Sequence, residues 1–280
     1  MTWDSAKESG RAAGWDAVGD GCFRRRYPGF DLNVGVVIGD RGALLVDTRG
    51  NLAEAAELRA DLRALGVAEP FAIVNTHAHF DHHLGNSRFP HTDIWGHESV
   101  PAAIAAEDLA AAARDFPEWA AALSPGEPVR RPPTRLVGER AVIDLGDREV
   151  ELRHLGRGHT AGDLVVVAGD VVFAGDLAEE GAPPAYGPDS FPLEWPATLA
   201  AVAALGPPVI VPGHGDVVDR AFAVRQADGL GEVARLIREH HAAGTPSEEA
   251  LRDSGWPYPP ETLRDAVRRG YAALRSPGVS

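Results

Sequence analysis

Short apolar runs, separated by glycine- and proline-rich turns, recur along this chain and alternate with longer stretches of helical spacing. Residues 21–26 predict a first strand. Residues 32–38 and 43–46 predict two more, joined by the turn Gly39-Asp40-Arg41-Gly42, which is hairpin chemistry. Leu52, Ala55, Ala56, Leu58, Leu62 and Leu65 recur at helical spacing, and Gly66 closes that helix. Residues 71–74 predict a short buried strand, 84–89 a short helix and 92–95 a strand. Residues 98–114 are alanine-rich and helical. Pro117, Pro125, Pro128, Pro132 and Pro133 break the stretch 115–140, which reads as irregular: a lid over a site or a surface excursion. Strand signals return at 142–145, 150–155, 164–167 and 171–174. A helix at 194–205, a buried strand at 209–211, a long helix at 219–243 and shorter ones at 247–253 and 260–275 complete the chain.

The order is strands plus helix, twice, with no linker between the halves. That predicts an α/β fold of two packed sheets flanked by helices, a four-layer αββα sandwich. A chain of 280 residues allows one large domain or two small ones. It is read as a single domain over 1–280, with a lid insert near 98–140 and C-terminal helices over 219–280.

Composition narrows the function classes. With 44% hydrophobic and 24% charged residues, the chain is of ordinary globular type. No window approaches eighteen consecutive apolar residues, so no membrane-spanning helix is expected. The formal net charge of -14 repels phosphate backbones and argues against nucleic acid as a partner. A small-molecule substrate is the partner expected, and the sequence sets no oligomeric state. The N-terminus lacks a basic start followed by an apolar core, and Cys22 is the lone cysteine, which fits a cytoplasmic protein without disulfides.

The candidate chemistry begins where the strand at 71–74 ends. The stretch 75–86 reads Asn-Thr-His-Ala-His-Phe-Asp-His-His-Leu-Gly-Asn and holds His77, His79, Asp81 and His82 within six residues. An extended segment turns His77 and His79 to one side, because side chains alternate along a strand. As the chain turns, Asp81 and His82 can face a second point, so one loop can feed two metal ions. Three further polar residues follow apolar strands and are flanked by glycine, which lets backbone crowd close to a site. They are His159 in Gly158-His159-Thr160, Asp176 in Gly175-Asp176 and His214 in Pro212-Gly213-His214. Taken singly each is a weak signal.

Together they resemble the metallo-β-lactamase-fold hydrolases. The resemblance rests on Asp47 in Leu-Leu-Val-Asp-Thr, on Thr-His-Ala-His-Phe-Asp-His at 76–82, and on the three glycine-flanked motifs above, all in order between 47 and 214. It implies that His77, His79 and His159 hold one metal, that Asp81, His82 and His214 hold a second, and that Asp176 bridges both. Asp47 would support the site from behind. The family's lactamases lack an Asp at the position of Asp176. Its presence resembles the glyoxalase II and lactonase branches and favours ester-type bonds over lactams.

Imidazole and carboxylate ligands without thiolate suit two zinc ions, with iron or manganese as alternatives. The implied reaction is attack by a metal-bridging hydroxide on an ester, thioester, lactone or amide, with Asp81 as ligand, orienter and proton carrier. Asp47, Thr160 and Asp163 are candidates to accept the ligands' outer N–H groups. Glu179, Tyr186, Asp189, Phe191, Trp195 and Trp95 are candidates for the pocket wall. His83 is expected beside the ligands in a supporting or surface role. A β-lactamase is one alternative. Another is an iron oxygenase of the persulfide dioxygenase type, using His77, His159 and Asp176. A non-catalytic binding protein on the same scaffold is the third.

Overall fold

The computed structural model describes residues 14–124, 126–127 and 129–275. The readings made of the N-terminal start, Pro125 and Pro128 lie outside the described residues.

The first half is a sheet with a helix on one face. Strands β1 (Asp16–Gly19), β2 (Cys22–Tyr27), β3 (Leu32–Gly39) and β4 (Gly42–Val46) pair antiparallel in sequence order. Helix α1 (Leu52–Ala64) follows, capped by Asn51, whose side chain accepts from the Glu54 N–H. Strands β5 (Ala72–Val74), β6 (Asp93–His97) and β7 (Arg135–Val137) extend the sheet in parallel. The second half holds β8 (Arg140–Asp144), β9 (Glu149–His154), β10 (Leu164–Ala168) and β11 (Val171–Glu179), all antiparallel neighbours. After α6 (Trp195–Ala204), β12 (Val209–His214) pairs parallel with β11. Helices α7 (Arg220–Ala242), α8 (Ser247–Ala250) and α9 (Arg264–Arg275) close the described residues.

Alternation along the strands sets the layers. In β3, Val34 and Val36 pack with Leu58 and Leu62 of α1, whereas Val37 packs with Leu164 and Phe173 of the other sheet. In the second sheet, Val165 and Val172 meet Leu199, Leu230 and Val267 of α6, α7 and α9, while Val166 and Val171 face inward. The result is helix, sheet, sheet, helix, as the residue pattern implied. The sheets also join edge to edge, through one pair, His214 with Leu32. That joint brings β12 against β3 beside the loop after β5.

The structure corrects three expectations. The alanine-rich stretch is two helices, α3 (Val100–Ala106) and α4 (Leu109–Asp115). Glu107 leaves the helix at ψ 126°, and Asp108 accepts from the N–H groups of Ala110 and Ala111 to start the next. The stretch 115–140 is not wholly irregular, because it holds α5 (Pro117–Ala121) and β7. Asp176 lies inside β11, not beyond its end. The strand shifts register at Gly175, at φ +53°, and continues to Glu179. Among the described residues, no helix is long and apolar enough to cross a membrane.

Candidate metal centre

The loop after β5 and the ends of β11 and β12 converge where the two sheets meet. Two groups of ligand atoms form there. His77, His79, His159 and Asp176 make one, with their atoms within 4.8 Å of one another; Asp81, His82 and His214 make the other. All seven residues singled out as ligands in the sequence are thus in one place.

Asp176 touches both groups. Its Oδ2 lies 3.6 Å from His77 Nε2, 3.4 Å from His159 Nε2 and 3.2 Å from His214 Nε2. Its Oδ1 lies 3.2 Å from His82 Nε2. Asp81 Oδ2 stands 3.6 Å from His82 Nε2 and 3.5 Å from His214 Nε2.

These spacings fit metal ions. Ligands about 2.0–2.1 Å from a tetrahedral ion stand about 3.3–3.4 Å from each other, by simple geometry. His77 Nε2 and Asp176 Oδ1 are buried and have no hydrogen-bond partner, a costly condition unless something else binds them.

Each ring is fixed from behind. Asp47 Oδ2 accepts from His82 Nδ1 at 2.9 Å. The Asp47 carboxylate also accepts from the Thr76 N–H and hydroxyl, both at 2.8 Å. With its proton given to Asp47, the Thr76 oxygen accepts from His77 Nδ1 at 3.0 Å. His159 Nδ1 donates to Ala185 O at 3.1 Å, and His214 Nδ1 to Phe30 O at 2.7 Å. These bonds place the protons on Nδ1 and leave Nε2 bare toward the centre. Strain accompanies the arrangement, since Phe30 (φ 60°) and Asp47 (φ 65°) both adopt left-handed backbone.

The pocket divides its imidazoles: burial, with the charge of neighbouring rings, pushes His77 well down, and burial pushes His159 down to about 4, whereas nearby carboxylates lift others. Burial opposes a proton on His214, but Asp176 and Asp81 outweigh it and lift the imidazole to about 10. Burial likewise opposes a charge on His82, which Asp176, Asp81 and Asp47 nevertheless raise. Burial of Asp176 is overcome by the four surrounding histidines, which hold it well below the usual carboxylate range. Without a cation these acids draw protons; a metal ion supplies the same charge with better geometry.

Some supporting residues differ from expectation. Thr160 and Asp163 hydrogen-bond each other: the Thr160 hydroxyl donates to Asp163 Oδ1 at 2.6 Å, and its N–H donates to the same carboxylate. That shapes the glycine-rich turn beside His159 and leaves the outer N–H groups to Asp47, Thr76, Ala185 O and Phe30 O. Trp195 and Tyr186 are buried, with Trp195 edge-on to the His159 ring at 5.4 Å. They brace the centre and do not line an open wall. Trp95 packs against the inter-sheet core. Phe191 lies under the guanidinium groups of Arg157 and Arg269. Glu179 is buried, and burial with the nearby Asp176 charge pushes its carboxyl up. His83 is fully buried and meets Glu107 at 3.2 Å.

Comparison with known proteins bears on the family and the fold. The family model described as the Metallo-beta-lactamase superfamily matches residues 27–214. The chain is 30% identical over 192 residues to an acyl-coenzyme A thioesterase, MBLAC2, of Gallus gallus, covering 58% of this chain and 66% of that protein, just under two thirds of its length. The Homo sapiens protein of the same name is 30% identical over 198 residues, with 58% and 67% covered. Among solved structures, the sec-alkylsulfatase Pisa1 of Pseudomonas sp. superposes with a TM-score of 0.73 at 17% identity, covering 95% of this chain and 50% of that one. The DIM-1 metallo-beta-lactamase superposes with a TM-score of 0.56 at 19% identity, covering 76% and 96%. Matched over most of its length by the family model, this chain belongs to the metallo-β-lactamase superfamily.

Proposed function

We propose that the protein is a dinuclear zinc hydrolase that cleaves an ester or thioester of a small molecule, with lactones and amides as the neighbouring substrate classes. One observation carries the reading: a single carboxylate, Asp176, reaches histidines of both ligand groups. His77, His79 and His159 would hold one ion, Asp81, His82 and His214 the other, and Asp176 both. Two such ions would lower the pKa of water toward about 7 and polarise an acyl carbonyl.

The chain's own residues do the rest. Asp81 is placed to orient the attacking water and to carry its proton to the leaving group. Asp47 holds the His82 ring in register through Nδ1. Phe80, between His79 and Asp81, stacks edge-on to Phe30 at 5.5 Å, and Phe116 meets Phe30 at 5.2 Å. With 43% of Phe116 exposed, this aromatic group offers an apolar flank suited to an acyl chain. Residues 98–140 serve as a lid insert on this reading, because Phe116 and Trp119 both pack on Phe80. The thioesterase name of the 30% identical relatives supports the thioester choice.

The test is a substrate screen on metal-quantified protein: acyl thioesters, esters, lactones and β-lactams. Thioester or ester turnover is expected to lead. β-Lactam turnover alone would overturn the substrate choice. About one iron per chain with sulfur-dependent oxygen uptake would overturn hydrolysis itself.

A further inference from the structure

His79 differs from its neighbours in the ring atom it turns inward. Its Nδ1 lies 2.8 Å from His159 Nε2, while its Nε2 points outward. His82, His159 and His214 present Nε2 to Asp176 instead. A histidine that binds through Nδ1 must keep its proton on Nε2, and an acceptor there fixes both tautomer and ring angle. Both oxygens of Asp189 stand at that place, 3.3 and 3.2 Å from His79 Nε2.

Packing alone does not hold this ring. The His79 side chain is 25% exposed, against 1% for His77, 0% for His82 and 3% for His159. Asp189 itself is well held. Phe191 N–H donates to Gly158 O at 2.8 Å, tying the segment to the neighbour of His159. Arg269 of α9 donates to Ser190 O at 3.0 Å. The same segment supplies Ala185 O to His159. One connection between β11 and α6 therefore orients two histidines of one ligand group.

We propose that Asp189 is a positioning residue, which accepts the Nε2 proton of His79 and so aims Nδ1 at the metal. This rests on the metal-centre reading above. Asp189 is half exposed, so its replacement leaves the core intact.

The experiment compares wild type, Asp189→Ala and Asp189→Asn by competition for zinc against a chelator, and by nitrogen-15 NMR of the zinc-loaded histidine rings. Asp189→Ala is expected to weaken zinc binding about 10–100-fold and to free His79 from the metal in part, so that its ring signal includes the mixed tautomers of an unbound imidazole. Asp189→Asn, whose oxygen can still accept, should recover a single Nε2–H tautomer and much of the affinity. Wild-type affinity with an unchanged His79 tautomer in Asp189→Ala would overturn this inference alone. Failure of the wild type to bind zinc would overturn the metal-centre reading with it.

Discussion

Asp176 and Gly213 occupy the same space: a Cβ on residue 213 would stand 1.8 Å from Asp176 Oδ1. The glycine of β12 is what lets the carboxylate of β11 sit between the two groups of histidines. The parallel strands pair just before this point, Gly175 beside Pro212, and shift register on either side of that pair, so the added methyl falls on the carboxylate itself. Gly213→Ala should therefore displace the carboxylate. Metal analysis after zinc loading is expected to show lost metal, with circular dichroism close to wild type. Full occupancy in that variant would mean that Asp176 is not confined as described.

Asp47 should matter through its orientation of His82. Asp47→Ala removes the acceptor at 2.9 Å from His82 Nδ1 and both bonds from Thr76. Zinc affinity should fall about 10–100-fold, as is typical when a partner behind a ligand is lost. Chelator competition measures it, and unchanged affinity would assign Asp47 to the fold alone.

Asp81→Ala tests proton handling. Turnover should drop about 10²–10⁴-fold, the range for a positioned acid–base group. The fold should remain, since Asp81 sits on a single short helical turn, α2 (Phe80–His83), in the connection after β5. Near-normal turnover would remove Asp81 from the reaction.

Much of this centre is legible in the sequence, for a physical reason. His77, His79, Asp81 and His82 lie on one loop, where spacing alone reports their directions. His159, Asp176 and His214, each flanked by glycine after an apolar strand, are weak signals singly and become legible only as an ordered set that resembles the family's motifs. The main-chain acceptors Phe30 O and Ala185 O carry no such signal, because any residue supplies a carbonyl. Asp189 meets His79 across 110 residues, and nothing local reports that. The break at Asp108 was readable as a capping residue, but the alanines on both sides hide it in a continuous helical pattern. The extension of β11 past Gly175 depends on pairing with β12, which is tertiary information.

Cys22 gives a prediction away from the site. It is 1% exposed, and burial pushes its thiol up to about 12. The fold accepts the neutral thiol, so this group's contribution to stability is complete below about pH 9.0, the ordinary thiol value, and is lost as pH rises toward 12. At pH 8 a thiol reagent should label the native protein slowly and the denatured protein at once. Rapid labelling of the native protein would contradict the burial.

Two cations sharing Asp176 is the central claim, and metal stoichiometry tests it most directly. Protein stripped by chelator, dialysed against zinc and analysed for bound metal should carry two ions per chain, and hydrolysis should return with them. Asp176→Ala should fail to hold the pair. Chelator-resistant turnover in metal-free protein, or zinc binding by Asp176→Ala equal to wild type, would contradict the account.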